Sequence, residues 1–135
     1  MLNVKSRLPE TLLLLFAIVF LLIVSKGIFV AQPGDENVYY YMGKLVSEGK
    51  MPYKDFFFAH PPLHVYIIAF FYKIFGFRIA LLKLIPLIST LMSAFFVFKI
   101  AKNKFGSLAA AISSLLFLFS YSVMFNSVFS FGIDV

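Results

Sequence analysis

The sequence predicts an all-α membrane protein with about three transmembrane helices and with interfacial helices in a long first extracytoplasmic loop. Composition is the first reason: 61% of the 135 residues are hydrophobic, 13% are charged, and the mean hydropathy is +0.95. A soluble domain needs more polar side chains than this to cover its surface. The second reason is that long apolar runs alternate with short charged stretches, as in a chain that crosses a bilayer repeatedly.

The first predicted span covers residues 11–31, which as a helix match the thickness of a bilayer core. Lys5 and Arg7 precede it, so the positive-inside rule places the N-terminus in the cytoplasm. A cleaved signal peptide is the competing interpretation. The apolar run also has the length of a signal core, and Ser25 with Gly27 offers small residues for cleavage.

The predicted outer loop, residues 32–77, contains most of the acidic residues, tyrosines, histidines and prolines. Apolar residues recur at helical spacing after Asp35 and stop at Gly49, which predicts an interfacial helix over about residues 36–48. Residues 63–76 are apolar but too few for an ordinary helical span, so they predict a second interfacial helix.

The rest of the chain is predicted to cross the membrane twice. We assign a second span to residues 79–100, a cytoplasmic turn to residues 101–106 and a third span to residues 107–131. The lysines at the end of the second span then lie in the cytoplasm. The positive-inside rule favours this arrangement over one in which residues 63–76 cross.

Charge and cysteine content exclude several functions. The net charge of +6 comes from Lys and Arg residues scattered at the ends of apolar segments, so it indicates membrane orientation and not nucleic-acid binding. Without cysteine there is neither a disulfide framework nor a thiolate metal site. No cofactor is predicted. A divalent metal stays an open question, because the acids and histidines of the loop have no spacing that demands an ion.

Two strings in the outer loop carry the candidate chemistry. QPGDENVYY places Asp35 and Glu36 just beyond the first span, and AHPPLHVYIIAFFYKIFG contains His60. Structural roles stay open for all three: Asp35 can cap the helix, Glu36 can be a first-turn acid favoured by the helix dipole, and His60 can be an ordinary interfacial residue.

The order of these features resembles the N-terminal part of the GT-C superfamily of polytopic glycosyltransferases. The matching features are an apolar first span, the DE pair, Tyr39, Pro52 with Tyr53, the HPPL string and an FG dipeptide. This superfamily includes the protein O-mannosyltransferases and the lipid A aminoarabinose transferases. Where the latter tend to have an acid and a lysine before the proline, this chain has Ala59 and His60.

The resemblance implies a membrane glycosyltransferase that moves a sugar from a polyprenyl-phosphate-linked donor to an acceptor hydroxyl on the extracytoplasmic face. It makes Asp35 the expected general base, with Glu36 as its companion and Asp134 as a second outer acid. A carboxylate suits this role because it can accept the acceptor's proton during displacement. A leaving phosphate also needs cationic or strong hydrogen-bond donors. The substrate-binding candidates are His60, Lys83, Lys26 and Tyr39.

Enzymes of this group have many more spans, so we expect this single membrane module to be a fragment of a longer enzyme and to be inactive alone. Its expected partners are membrane lipid, the sugar donor, and the missing C-terminal half or other membrane helices. The alternative function is a small non-catalytic multi-pass protein or assembly subunit. Its outer loop would bind lipid or partner helices through the face formed by Val38, Met42 and Leu45.

Overall fold

The protein is built from helices. The computed structural model describes residues 4–31 and 34–129, and the regular elements in those ranges are α-helices and one 3-10 helix. Two segments, Leu8–Phe29 and Ile79–Phe105, are long and apolar enough to cross a membrane. The predicted all-α membrane fold is confirmed in this form, with two long helices and several shorter apolar ones.

The membrane group consists of helices α1, α4, α5 and α6. Helix α1 is Val4–Val24 and continues as a 3-10 helix over Ser25–Phe29. Helix α4 is Ile79–Phe105, α5 is Ser107–Leu118 and α6 is Tyr121–Asn126. Helix α5 packs against both α1 and α4, so it forms the centre of this group.

The outer group consists of α2, Asp35–Ser47, and α3, Leu63–Phe75, which pack against each other. Both bounds lie within one residue of the predicted interfacial helices. Their close approach depends on Gly43, because a Cβ atom there would lie 2.3 Å from Cγ2 of Ile68. A larger residue would therefore push the two helices apart.

The long helices α1 and α4 run antiparallel. At one end Glu10 forms an ion pair with Lys102, and at the other Lys83 donates a hydrogen bond of 3.0 Å to the Gly27 carbonyl. The connecting residues 30–78 therefore leave and rejoin the helix pair at the same end.

The end of α4 differs from the prediction. The expected turn over residues 101–106 is helical as far as Phe105, and Gly106 alone joins α4 to α5. Gly106 has a φ of 88°, a conformation that costs glycine little and other residues more. One residue is enough for the reversal because glycine tolerates this geometry.

The predicted third span, residues 107–131, is not one continuous helix. It breaks between α5 and α6, where Ser120 is extended with φ −67° and ψ 142°. The Ser120 hydroxyl donates a hydrogen bond of 3.0 Å to the Phe117 carbonyl, a local bond that competes with the helical ladder. Residues after Phe129 lie outside the described part of the chain.

Apolar side chains on the outside of the membrane group face away from the protein. Leu22 is 69% exposed, Leu116 is 67% exposed and Leu108 is 76% exposed. Water disfavours such a surface, whereas lipid chains cover it without penalty. Inside the group, small residues such as Ala110 and Ser114 are fully buried and let the helices approach closely.

Candidate active site

The two adjacent acids at the start of α2 lie in different environments. Helix α2 begins after Gly34, which has a φ of 104°. Successive residues of an α-helix point about 100° apart, so neighbouring side chains leave the axis in different directions. Asp35 is exposed, whereas Glu36 is completely buried. The predicted pair is therefore one surface carboxylate and one interior carboxylate.

Polar partners on α2 and α4 hold Glu36. Its Oε2 lies 3.3 Å from Nζ of Lys83, and its Oε1 accepts a hydrogen bond of 3.2 Å from the Tyr40 hydroxyl. Tyr40 follows Glu36 by one helical turn, which is the spacing at which side chains on one helix meet. The contact with Lys83 joins the outer group to the first part of α4.

Lys83 is also fully buried and has further partners on a third segment. Its Nζ donates to the Gly27 carbonyl at 3.0 Å and to the Val30 carbonyl at 2.5 Å. Buried ion pairs need such additional hydrogen bonds to offset the loss of hydration. The ammonium thereby joins the end of the first long helix, α2 and α4, and it faces protein groups instead of an outer cavity.

An aromatic cluster lies beside Asp35 on the outer group. The ring of Tyr39 is 4.7 Å from that of His64, 6.1 Å from that of Phe58 and 6.1 Å from that of His60. The Tyr53 hydroxyl donates a hydrogen bond to the His60 carbonyl, which holds the extended segment in place. Two of the predicted binding residues, Tyr39 and His60, are thus brought together.

Burial changes the proton affinity of two members of this cluster. The pKa of Tyr39 is raised, first by burial and then by the negative charge of Asp35. The pKa of His64 is lowered, first by burial, with a smaller effect of His60, against a hydrogen bond to the Pro61 backbone. His64 is therefore a neutral imidazole at neutral pH, and the nearby Tyr39 is a neutral phenol.

The other predicted site residues are more scattered. Lys26 is exposed in the 3-10 helix that follows α1. Asp134 lies outside the described residues. Among the residues that the structure describes, no three His, Cys, Asp or Glu side chains are grouped so that they could hold a metal ion. Tyr40 and Phe58 were not predicted as site residues. Tyr40 follows Glu36 by four residues, a spacing that indicates contact between side chains on one helix.

The arrangement presents an exposed carboxylate at the first turn of a fixed helix, next to an aromatic surface. A helix N-terminus favours a negative charge, so Asp35 is well placed as a carboxylate. Such a group can accept a proton from a hydroxyl that comes within hydrogen-bond distance. Tyr39 and His60 add polar atoms beside apolar rings, which suits a ligand with both kinds of surface.

Comparison with known protein families gives a match. Residues 59–135 match the family described as dolichyl-phosphate-mannose-protein mannosyltransferase. The matched stretch is more than half of the chain and contains His60 and Lys83, whereas Asp35 and Glu36 precede it. No curated protein and no solved structure matches the chain.

Proposed function

Because the chain belongs to the dolichyl-phosphate-mannose-protein mannosyltransferase family, a group of membrane glycosyltransferases, we propose that its site transfers a sugar from a polyprenyl-phosphate-linked donor to an acceptor hydroxyl on the extracytoplasmic face. The observation that carries this proposal is the exposed carboxylate of Asp35 on a helix that a buried ion pair ties to the membrane group. A reacting group is effective when its support is rigid.

In the proposed reaction Asp35 accepts the proton of the acceptor hydroxyl. The hydroxyl oxygen forms a bond to the sugar carbon as the bond from that carbon to the phosphate oxygen breaks, and the phosphate leaves with the bonding electrons. Proton removal by a positioned base contributes about 10²–10⁴-fold to rate. His60 is half-buried beside Tyr39 and is the proposed hydrogen-bond donor to the leaving phosphate.

Glu36 and Lys83 have a positioning role in this proposal. Their full burial and mutual contact favour support of α2 over direct contact with substrate. Lys26 is exposed and accessible to a head group, so it stays a candidate for donor binding. Asp134 stays a proposed second acid, and further membrane helices together with lipid are proposed to complete the donor groove.

The protein is an integral membrane protein, and its orientation is part of the proposal. With the N-terminus in the cytoplasm, the antiparallel contacts of α1 and α4 support an extracytoplasmic position for both α2 and α3. The chain has no cysteine, so single cysteines at Lys50 and Asn103 can be labelled from one side. An impermeant maleimide should reach Lys50→Cys in intact cells and Asn103→Cys only after permeabilisation. Labelling of both before permeabilisation would contradict this orientation.

The catalytic proposal is tested by replacing Asp35 with Asn, which keeps the shape and removes the base. In membranes that contain the chain together with the further helices proposed to complete its donor groove, transfer of labelled sugar from polyprenyl-phosphate mannose to a hydroxyl acceptor should fall by about 10²-fold or more. The matched control is Glu48→Gln, an exposed acid at the other end of α2. Glu48→Gln should retain transfer, and both variants should insert normally. Equal activity in Asp35→Asn and the unmodified chain would contradict the role of Asp35.

A further inference from the structure

A groove of about 440 Å³ lies between α1 and α4 at the end opposite to the candidate active site. This volume lies within the range of about 300–1,000 Å³ that is typical of ligand pockets. Its walls are apolar side chains of both helices: Leu13, Leu14, Ala17, Leu91, Ala94, Phe95 and Phe98. The small side chains of Ala17 and Ala94 leave the space open. The groove is separate from every residue used in the proposed transfer reaction.

The mouth of the groove is charged, with Glu10, Lys99 and Lys102 at its edge. Lys102 forms an ion pair with Glu10, and the ammonium of Lys99 lies 5.7 Å from the centre of the Phe95 ring. Two cations and one anion leave the mouth with a net positive charge. A negatively charged group at this depth would therefore be attracted.

The length of the groove matches one leaflet of a bilayer. From Leu91 to Lys102 the helix α4 rises by about 16 Å at about 1.5 Å per residue. The hydrocarbon core of a bilayer is about 30 Å thick, so the groove reaches about halfway. An acyl chain with its head group at one surface ends at this depth.

We propose that this groove binds an anionic phospholipid. The head-group phosphate lies beside Lys99 and Lys102, and an acyl chain fills the space along Leu14, Leu91 and Phe95. The lysine-rich end of α4 is the end assigned to the cytoplasm, so the lipid belongs to the cytoplasmic leaflet, which carries anionic lipids. The binding does not depend on sugar transfer, and its test is independent of that activity.

The test measures contact between the groove and lipid chains in vesicles. The absence of native cysteine allows a fluorophore at Leu14→Cys, a largely exposed position at the edge of the groove, and, separately, at Leu22→Cys on the lipid-facing surface of α1. Vesicles of phosphatidylcholine contain a small fraction of spin-labelled phosphatidylglycerol or of spin-labelled phosphatidylcholine. We expect the labelled phosphatidylglycerol to quench Leu14→Cys more strongly than labelled phosphatidylcholine does, with no such difference at Leu22→Cys.

Charge variants distinguish binding at the mouth from general damage. Lys99→Gln should lower the preference for phosphatidylglycerol by about fivefold, as expected for one lysine near an anionic surface. Glu10→Gln should raise it, because an acid is removed. Lys104→Gln, an exposed lysine that does not line the groove, should change it less than Lys99→Gln. Two changes of opposite sign cannot come from loss of structure.

A second, independent variant fills the groove. In Ala17→Phe the added ring occupies the space of the acyl chain, so the preference at Leu14→Cys should disappear. Equal quenching by both lipids in the original chain would overturn the proposal, as would a preference that survives in Ala17→Phe. An absence of quenching by either lipid at Leu14→Cys would also overturn it, because a protein segment would then cover the groove.

Discussion

Two lysine–glutamate pairs join α1, α2 and α4 at opposite ends of the same helix bundle, and they differ in burial. Lys83 and Glu36 at the outer end have no exposed side-chain surface, whereas Lys102 and Glu10 at the other end are 33% and 48% exposed. In the first pair, Lys83 also donates hydrogen bonds to two backbone carbonyls, and Glu36 accepts one from a tyrosine hydroxyl. The same two residue types thus serve a structural purpose at one end and leave a charged, accessible surface at the other.

The difference follows from dielectric environment. A buried charge without its partner costs several kcal/mol, whereas an exposed pair is screened by water and contributes little. The outer pair therefore fixes the position of α2 relative to α4, and with it the position of Asp35. The other pair can exchange partners with head groups at small cost, which is the property that a lipid site needs.

The largest expected effect comes from removing the buried cation. Lys83→Met keeps the length of the side chain but leaves the Glu36 carboxylate buried without its ion-pair partner, which should lower the free energy of unfolding by about 3–5 kcal/mol. Thermal unfolding in detergent would measure the change. Hydrogen exchange of α2 amides would show whether the outer group opens first.

The double variant Glu36→Gln with Lys83→Met serves as its control. It removes the uncompensated charge, so it should regain part of the stability that Lys83→Met loses. A double variant as unstable as the sum of the two single variants would show that the two side chains do not interact energetically.

The next largest loss of stability is expected from a variant that disturbs the close packing of α2 against α3. Gly43→Ala places a methyl group against Ile68, at a position where the added atom would lie 2.3 Å from Cγ2. Overpacking of this kind lowers the free energy of unfolding by about 1–3 kcal/mol. Unfolding should be measured in Gly43→Ala alone and together with Ile68→Val. Ile68→Val removes the Cδ1 atom and keeps the Cγ2 atom that would be in contact, so it should recover stability only if the helices can shift. Full stability of Gly43→Ala would contradict the close contact.

A change in pH should have a smaller effect on stability, and this effect should be confined to the outer group. Burial lowers the pKa of His64 in the folded state, so the unfolded state binds more protons between that lowered pKa and about 6.5. The stabilisation is complete above about pH 6.5 and is lost as the pH falls through this window. The protection factors of the α3 amides, which correct for the slower intrinsic exchange at lower pH, should fall on acidification. His64→Phe, which suits the aromatic cluster, should abolish this fall, whereas His60→Gln should retain most of it.

The smallest effect is expected at the exposed pair. Lys102→Gln removes the partner of Glu10, yet water hydrates the remaining carboxylate. We therefore expect no measurable change in the thermal midpoint, in contrast to Lys83→Met. A loss of stability as large as that of Lys83→Met would remove the distinction between the two ends.

Local signals explain how much of the outer group was predictable. The spacing of apolar residues after Asp35 and the terminating Gly49 were enough to predict α2. The segment that forms α3 was predicted because it is apolar but too short for an ordinary span. The turn after the second span was harder to predict. Gly106 alone separates α4 from α5, so the sequence contains no polar loop that would mark the end of α4. The break at Ser120 coincides with a local side-chain hydrogen bond, which hydropathy does not register.

The sequence by itself determined that this is an integral membrane protein with long apolar helices and an acidic, aromatic segment between them, because hydrophobic composition and periodicity are properties of the local chain. It also placed Asp35 and Glu36 beside each other and indicated the glycosyltransferase family. Only the tertiary structure separated their environments. Glu36 meets Lys83 across a long interval of sequence, and burial depends on which helix faces pack together, which no local pattern specifies.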